Sequence, residues 1–342
     1  MDELLLDVQD LSTHFMTHAG VVKAVNGVSF TLHRNETIGI VGESGSGKTV
    51  AALSLLRLVP DPPGKIVEGK ILLKGRDLRE VSNEEIRAVR GNDIAMIFQD
   101  PMTSLNPVFK VGMQIAEAIM LHQDKSRRDA WRMAAELLAK VGIPDAESRV
   151  NQYPFEFSGG MRQRAMIAMA ISCNPDILIA DEPTTALDVT IQAQIIDVVR
   201  EMQAQYNSGV ILITHDLGVV AEIADKVMVM YGGRTVEYGP IDEIFYNPHH
   251  PYTWGLLGSL PRLDLVEKER LTPIKGQPPD LLMLPPGCPF SGRCGYERPD
   301  ECPLTMPDTE IVGPEHGVRC WIPNDERVSA RSALPRFVAR SK

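Results

Sequence analysis

Short apolar segments and amphipathic segments alternate along this chain, and their lengths predict strands and helices in turn. Short strands are predicted at residues 4–8 and 28–32, and an apolar, β-rich run at residues 37–41 ends in glycines before a helical pattern over 50–58. The alternation continues with a helix over 161–173, a buried strand over 177–180, a helix over 191–206 and a strand over 210–214. Alternation of this kind predicts an α/β fold with a largely parallel sheet.

Two stretches depart from that alternation. From about residue 111 to residue 141 the pattern is helical, with Gly142 as a stop signal, which predicts a helical insertion. Beyond about Gly239 prolines become frequent and periodicity fades, which predicts a loop-rich appendage without an ordinary core. The basic residues near the end favour a solvated tail over a contact with an anionic membrane or a partner: Arg327, Arg331, Arg336, Arg340 and Lys342.

Composition narrows the classes of function. The 35 basic and 45 acidic side chains give a formal net charge of −10, which argues against a nucleic-acid binder. No run of about 18 apolar residues is available to cross a bilayer. Acidic residues stand at the amino terminus, where a signal peptide would be basic, so a cytoplasmic protein is expected.

The segment after the predicted strand 37–41 matches the phosphate-loop pattern G-x-x-x-x-G-K-[ST]. Glycines let successive backbone N–H groups point at phosphates, and the start of the following helix adds partial positive charge. Lys48 is expected to reach the β- and γ-phosphates, and the Thr49 hydroxyl to bind Mg²⁺. The predicted nucleotide site comprises Gly42, Glu43, Ser44, Gly45, Ser46, Gly47, Lys48 and Thr49.

Such a site also needs a carboxylate near the metal. The apolar run 177–180 is followed at once by Asp181 and Glu182. Asp181 is expected to hold the Mg²⁺ shell, and Glu182 to take a proton from the attacking water. The alternative interpretation, two acids in an ordinary loop, is disfavoured by the phosphate loop.

Residues 153–164 carry a resemblance to a known family. Within them, residues 157–161 (F-S-G-G-M) resemble the signature segment of ABC-transporter ATPases. The resemblance implies a P-loop NTPase fold, with a RecA-like α/β core and an ABC helical subdomain, that binds ATP. It also implies a head-to-tail dimer in which Ser158, Gly159 and Gly160 act on the partner's nucleotide, since a helix start offers N–H groups to a γ-phosphate.

Further positions match in the order that the family shows. Phe15 looks like the aromatic residue that stacks on adenine, and Gln99 is similar to the Q-loop glutamine, which senses Mg²⁺ and the attacking water and faces the membrane subunits. Residues 186–188, ending in Asp188, resemble the D-loop, and His215 resembles the switch histidine that contacts the γ-phosphate. The resemblance thus implies catalytic roles for Lys48, Glu182 and His215 and Mg²⁺ contacts from Thr49, Gln99 and Asp181.

Two positions depart from the common L-S-G-G-Q form of the signature, namely Phe157 and Met161. No role of a signature glutamine is therefore carried over to Met161, whereas the hydroxyl and both glycines remain. We expect an active ATP site rather than a degenerate one, because its central groups are all present: Lys48, Asp181, Glu182 and His215.

The appendage resembles that of one particular group within this family. Residues 247–257 look like the start of the C-terminal extension of ATPases from oligopeptide and dipeptide importers, and residues 99–107 and 157–161 are typical of the "D"-type subunits of that group. The implied organisation is an ATPase domain at 1–245, with its helical subdomain at about 101–160, and the extension at 246–342.

Four of the five cysteines lie in this extension with the spacing C-x5-C-x7-C-x17-C, whereas Cys173 stands alone. The close cysteine pairs that are usual in structural zinc sites are missing. Four thiolates can also hold an iron–sulfur cluster, and the resemblance implies a [4Fe–4S] cluster of structural role, with zinc and unliganded thiols as alternatives. The implied ligands are Cys288, Cys294, Cys302 and Cys320.

The resemblance implies an ATP-hydrolysing subunit that energises the import of di- and oligopeptides from the cytoplasmic face of the cell membrane. Implied partners are a second ABC ATPase, commonly a distinct "F"-type chain, two transmembrane permease subunits and an extracytoplasmic solute-binding protein, but no nucleic acid. Alternatives are an importer for nickel, glutathione or oligosaccharide, a homodimeric ATPase pair, a soluble ABC ATPase acting on DNA or ribosomes, and a regulatory ATP sensor. The net charge disfavours the soluble ATPase, and the intact catalytic residues disfavour the sensor.

Overall fold

The computed structural model describes residues 3–100, 104–185, 188–259 and 274–332. Ala186 and Leu187 of the predicted D-loop, and the tail residues Arg336, Arg340 and Lys342, lie outside the described residues. The chain divides into two compact units. The first unit comprises Met1–Leu6, Thr31–Thr37 and Leu73–Ile213, and the second comprises Asp7–Phe30, Ile38–Leu72 and Thr214–Lys342. The predicted domain bounds at 1–245 and 246–342 stay a prediction.

The described residues form twelve strands and eleven α-helices. The strands are β1 Leu4–Thr17, β2 Gly20–His33, β3 Thr37–Val41, β4 Gly64–Leu73, β5 Arg76–Asp77, β6 Ile94–Ile97, β7 Ile177–Asp181, β8 Gly209–Ile213, β9 Lys226–Tyr231, β10 Arg234–Pro240, β11 Glu310–Gly313 and β12 His316–Val318. The helices are α1 Lys48–Leu55, α2 Asn83–Val89, α3 Val111–Gln123, α4 Arg127–Lys140, α5 Ala146–Arg149, α6 Gly159–Ala170, α7 Val189–Tyr206, α8 Leu217–Ile223, α9 Ile241–Tyr246, α10 Pro251–Gly258 and α11 Asn324–Ser332.

In the first unit, β6, β7 and β8 run parallel and side by side. All residues of these strands are buried, as expected for a parallel sheet covered on both faces. The predicted helical insertion is present as α3 and α4, which pack against each other and against α6. The break falls where Asp124 adopts a positive φ of 50° and Ser126 begins α4 by accepting a hydrogen bond from the Asp129 N–H at 3.2 Å.

In the second unit, β3 pairs with β9 in parallel. β10 pairs with β9 on one side and with β12 on the other, both in antiparallel fashion. A second sheet has the order β2-β1-β4. The appendage therefore contributes β12 to a sheet that begins at β3, ahead of the appendage, and β11 pairs with β12 at its edge.

The appendage also buries apolar side chains, contrary to the expectation of a segment without an ordinary core. Tyr252, Cys288 and Phe290 belong to one buried cluster together with Tyr231 of β9 and Val236 of β10. Its Tyr231 and Phe290 rings meet edge to face at 5.1 Å between centroids. The low periodicity of the segment hid this core because the buried residues come from turns and short elements.

The prediction of a solvated tail is wrong for Arg327. This residue lies in α11, its side chain is fully buried, and its guanidinium pairs with the Glu310 carboxylate. A buried arginine needs such a partner, since an unpaired charge away from water is costly. Among the described residues, no helix combines the length and apolar character needed to cross a bilayer.

Candidate functional site

The phosphate loop lies between β3 and α1, as the pattern predicts, and two of its glycines are required by close packing. A Cβ atom on Gly42 would lie 2.2 Å from the Met230 carbonyl oxygen, and one on Gly47 would lie 2.2 Å from that of Ala24. Gly47 also has a φ of 102° and precedes the first turn of α1. Larger residues at these positions would push the loop away from β9 and β2.

The Lys48 ammonium folds back over this loop. Its Nζ donates to the carbonyl oxygens of Gly42 at 2.8 Å and Glu43 at 3.0 Å, and the residue is only 5% exposed. A buried ammonium needs acceptors, and the loop carbonyls supply them. Lys48 therefore already sits at the centre of the loop, where phosphate oxygens are expected.

Thr49 and Phe15, both in the second unit with the loop, are accessible. Thr49 lies at an exposed position in the first turn of α1. Phe15 lies near the end of β1, half-buried, with its ring against Gly64. An edge of the ring therefore packs against the protein while part of it faces solvent, which suits stacking on a base.

One tyrosine and one arginine from the appendage contact the loop at Glu43. The Glu43 N–H donates to the Tyr252 hydroxyl at 2.7 Å, and Arg293 bridges both oxygens of the Glu43 carboxylate. Arg293 also donates to the Tyr231 hydroxyl at 3.0 Å. The hydrogen bond to Glu43 raises the pKa of Arg293, while burial raises the pKa of Tyr252. Sequence reasoning missed these contacts, although Tyr252 lies in a segment that it singled out.

In the first unit, the ends of two neighbouring strands bring Gln99 and Glu182 together. Asp181 is the buried last residue of β7 and Glu182 follows with a positive φ of 47°. Gln99 Nε2, beyond β6, donates to Glu182 Oε2 at 2.8 Å, and Thr185 Oγ1 donates to the same oxygen at 2.8 Å. A carboxylate held by two neutral donors keeps one orientation and still accepts a further proton. Thr185 was not identified from the sequence.

The predicted switch residue follows β8. His215 is exposed, next to Thr214, whose N–H donates to the Ile40 carbonyl at 3.3 Å. Asp216 begins α8 by accepting from the Gly218 N–H at 2.8 Å. The anchored neighbours fix the backbone around the histidine and leave its ring accessible to a ligand.

The signature residues begin α6 in the first unit. Ser158 is the residue before the helix, and its hydroxyl accepts from the Met161 N–H at 3.3 Å. A Cβ on Gly159 would meet nothing within 4 Å, whereas one on Gly160 would lie 3.3 Å from Ile191 Cγ2. The backbone N–H groups at this helix start are thus open to a ligand on the Gly159 side. Asp188 begins α7 by accepting from the Ile191 N–H at 2.9 Å.

The four cysteines of the appendage are free thiols, two of them buried and two half-buried. Burial, reinforced by the charges of the other three cysteines, raises the pKa of Cys288 to about 12. Burial also raises the pKa of Cys320, against the opposing effect of the Arg327 guanidinium. Within residues 274–332 and the other described ranges, however, no three cysteine, histidine or acidic side chains are arranged to hold a metal ion.

A buried network of hydrogen bonds surrounds Glu237 of β10. Its carboxylate accepts from the backbone N–H groups of His249 at 2.5 Å and His250 at 3.0 Å, and contacts His316 Nε2 at 2.9 Å. Burial opposes ionisation of Glu237, but these hydrogen bonds lower its pKa below the usual value. Burial lowers the pKa of both His249 and His250 to about 4.

Comparisons with known proteins agree with these features. Residues 25–185 match the family described as "ABC transporter", and residues 236–302 match "Oligopeptide/dipeptide transporter, C-terminal region". The chain is 54% identical to the dipeptide transport ATP-binding protein DppD of Bacillus subtilis, over 95% of this chain and 96% of that protein. It is 53% identical to the oligopeptide transport ATP-binding protein OppD of the same organism, over 93% of this chain and 88% of that protein.

Solved structures show the same fold. The chain superposes on the dimeric ABC transporter cassette MJ0796 with a TM-score of 0.62 at 22% identity, covering 69% of this chain and 99% of the cassette. The cbiO1 protein of Clostridium perfringens, part of an ABC transporter complex, gives a TM-score of 0.59 at 25% identity, covering 71% of this chain and 91% of that protein. The predicted P-loop NTPase fold is thereby confirmed. The chain belongs to the ATP-binding subunits of ABC transporters, ATPases coupled to transport, and carries the C-terminal region of the oligopeptide/dipeptide group.

Proposed function

We propose that this chain hydrolyses ATP to energise the import of peptides through an ABC transporter. The peptide solute is supported by the names of its relatives, which are dipeptide and oligopeptide transport ATP-binding proteins at 53–54% identity. The catalytic proposal is supported chiefly by one contact, the 2.8 Å hydrogen bond from Gln99 to Glu182.

In the proposed reaction, Glu182 acts as the general base. A water oxygen attacks the γ-phosphorus, the water proton passes to the Glu182 carboxylate, and the bond to the bridging β–γ oxygen breaks to leave ADP and phosphate. Gln99 and Thr185 hold the carboxylate for that transfer, because both donate to Oε2. Lys48 exchanges its loop carbonyls for β- and γ-phosphate oxygens when ATP binds, and His215 contacts the γ-phosphate.

The residues proposed for Mg²⁺ have the chemistry that this ion requires. Thr49 offers a hydroxyl at an exposed position, Asp181 a carboxylate at the end of β7, and Gln99 an amide oxygen. When bound, Mg²⁺ neutralises charge that develops on the phosphate oxygens. Phe15 is proposed to stack on adenine, and the backbone N–H groups of the loop to surround the phosphates.

We also propose that two ATPase domains close head to tail over the nucleotide. The open space beside Gly159 and the accessible start of α6 leave room for the γ-phosphate bound by the partner. Asp188 would then lie at the interface between the domains. A distinct "F"-type chain is the proposed partner, with a second copy of this chain as the alternative.

Membrane permease partners follow from membership of the transporter family, and we propose that they dock beside the Q-loop on the cytoplasmic face of the membrane. Large apolar side chains that follow one another along the chain around and after Gln99 are exposed: Phe98 to 37%, Val108 to 70% and Phe109 to 52%. Exposed apolar side chains that form a patch are typical of protein contact surfaces. Binding of a solute-loaded extracytoplasmic protein would be transmitted through this surface to Gln99.

For the extension, we propose that Cys288, Cys294, Cys302 and Cys320 hold a [4Fe–4S] cluster of structural role. The mutual effect of their charges on the pKa of Cys288 supports the grouping. Among the described residues these thiols do not form a group arranged to hold a metal ion, so ligation would require them to move closer together. Anaerobically purified protein is expected to show broad visible absorbance and stoichiometric iron. Zinc in place of iron, or protein without metal, would contradict the cluster.

The identity of the transported solute is tested in the assembled complex. The chain, its partner ATPase and the permeases are purified together and placed in lipid nanodiscs, and ATP hydrolysis is measured with the solute-binding protein. Stimulation by di- or oligopeptides is expected. Stimulation only by nickel, glutathione or an oligosaccharide would contradict the peptide proposal while leaving the ATPase role intact.

A further inference from the structure

Arg293 of the extension forms a two-point ion pair with the phosphate loop. Its Nη1 lies 2.5 Å from Glu43 Oε2, and its Nη2 lies 3.1 Å from Glu43 Oε1. The Arg293 side chain is only 8% exposed and that of Glu43 is 25% exposed. Paired guanidinium and carboxylate groups in this geometry are stronger and more directional than single contacts.

The head of Arg293 is itself held by the extension and β9. Its Nε donates to the Lys275 carbonyl at 2.8 Å, Nη1 to the Tyr231 hydroxyl at 3.0 Å, and Nη2 to the Gly276 carbonyl at 3.3 Å. The guanidinium therefore has several partners besides Glu43, and these hold it beside the carboxylate.

Glu43 places a negative charge inside a loop that must accept a triphosphate. Its carbonyl oxygen accepts from Lys48 Nζ at 3.0 Å, so the carboxylate belongs to the residue next to the phosphate-binding ammonium. An unpaired carboxylate there would repel ATP, because burial weakens the screening between nearby charges. The observed partner of opposite charge is Arg293.

We propose that Arg293 is a positioning residue of the ATP site, which neutralises and anchors Glu43 so that the C-terminal extension sets the affinity of the phosphate loop for ATP. Tyr252 completes the anchor by accepting the Glu43 N–H. Arg293 ends the short turn Ser291–Arg293 and directly precedes Cys294. Cys294 is therefore bonded directly to the residue whose side chain forms the ion pair with the phosphate loop.

The test measures equilibrium ATP binding to the full-length chain at low salt. Arg293→Met is expected to raise the Kd for ATP by on the order of tenfold, because it leaves the Glu43 charge unpaired. Arg293→Lys keeps the charge but loses the two-point geometry, so its Kd for ATP is expected to lie between that of the native chain and that of Arg293→Met. The double variant Glu43→Gln with Arg293→Met removes both charges and is expected to recover to within about threefold. A purely structural anchor would not be rescued by the second substitution.

The matched control is Arg298→Met. Arg298 lies in the same extension and also bridges a carboxylate, that of Glu326, at 2.8 and 2.9 Å. The Arg298→Met substitution is expected to leave the Kd for ATP unchanged. Circular dichroism and a thermal melt establish that each variant is folded. If Arg293→Met does not fold, the lysine and double variants carry the test.

The inference is overturned if folded Arg293→Met binds ATP within about threefold of the native chain. It is also overturned if the double variant binds ATP as weakly as the single variant, or if Arg293→Lys loses about tenfold or more. The inference rests on the proposed ATP site, which Lys48→Ala tests separately. Failure of the native chain to bind ATP, or undiminished binding by Lys48→Ala, would contradict that site and not the ion pair alone.

Discussion

At the residue scale, the best-defined chemical feature is the orientation of Glu182. Its Oε2 accepts from both Gln99 and Thr185 at 2.8 Å, and its backbone turns through a positive φ directly after β7. A non-glycine residue in that conformation costs free energy, which surrounding contacts must offset. The hydrogen bond from the Glu182 N–H to the Ile213 carbonyl at 2.8 Å is one such contact.

Thr185→Val tests whether this orientation matters for hydrolysis. Removing the hydroxyl deletes one of the two donors, so kcat of the assembled transporter is expected to fall by about tenfold. KM for ATP is expected to change little, because Thr185 has no proposed contact with the nucleotide. Thr185→Ser, which keeps the donor, serves as the control. An unchanged kcat in Thr185→Val would show that Gln99 alone suffices.

The sequence indicated candidate residues for this site, which stay a prediction, but not the contacts that the structure shows between them. Asp181 and Glu182 were identified because an apolar strand ends in two acids, a local pattern. Thr185 could not be identified, since its hydrogen bond depends on the unusual backbone turn at Glu182. Arg293 stands 250 positions from Glu43, and no local pattern records a pairing at that distance.

At the element scale, the buried parallel strands were predicted most closely. β3 occupies residues 37–41 as predicted, because glycines and polar residues bound an unbroken apolar run. α1 instead starts at Lys48 and ends at Leu55, before Arg57 adopts a φ of 52°. β1 and β2 are longer than expected, since pairing with each other extends them beyond their apolar segments.

The histidine at the start of helix α10 leads us to expect that the stability of the protein depends on pH. His250 begins this helix, and its Nδ1 accepts from the Tyr252 N–H at 3.1 Å, which requires a neutral ring. Its folded-state pKa of about 4 lies below the ordinary value of 6.5. The unfolded chain therefore binds the proton more readily between those values. The free energy of unfolding is expected to fall as pH decreases from about 7 to 5, by about 2 kcal/mol from this histidine.

Thermal melts at pH 7 and pH 5 measure that loss. His250→Asn keeps an acceptor for the helix start but does not titrate, so its melting temperature is expected to depend less on pH. Burial lowers the pKa of His249 to about 4 as well, which leaves part of the dependence in place. His18→Asn, at an exposed position, is the control. Equal pH dependence in His250→Asn and the native chain would contradict this interpretation.

At the scale of the whole molecule, the exposed apolar residues after the Q-loop make a prediction about assembly. Val108→Ser combined with Phe109→Ser is expected to reduce recovery of the permeases in co-purification, because it removes apolar area from the proposed contact. ATP binding to the isolated chain should be unaffected. Leu121→Ser is the control, since Leu121 is 74% exposed but lies near the far end of α3. Full recovery of the permeases by the double variant would place the contact elsewhere.

The central claim is that Glu182 activates water for the ATP hydrolysis that drives transport. The most direct measurement compares the native chain with Glu182→Gln in the assembled transporter, recording ATP turnover and ATP binding together. The glutamine keeps the size of the side chain but is not a base, so turnover is expected to fall by at least about a hundredfold while ATP still binds. Undiminished turnover in Glu182→Gln would contradict the account.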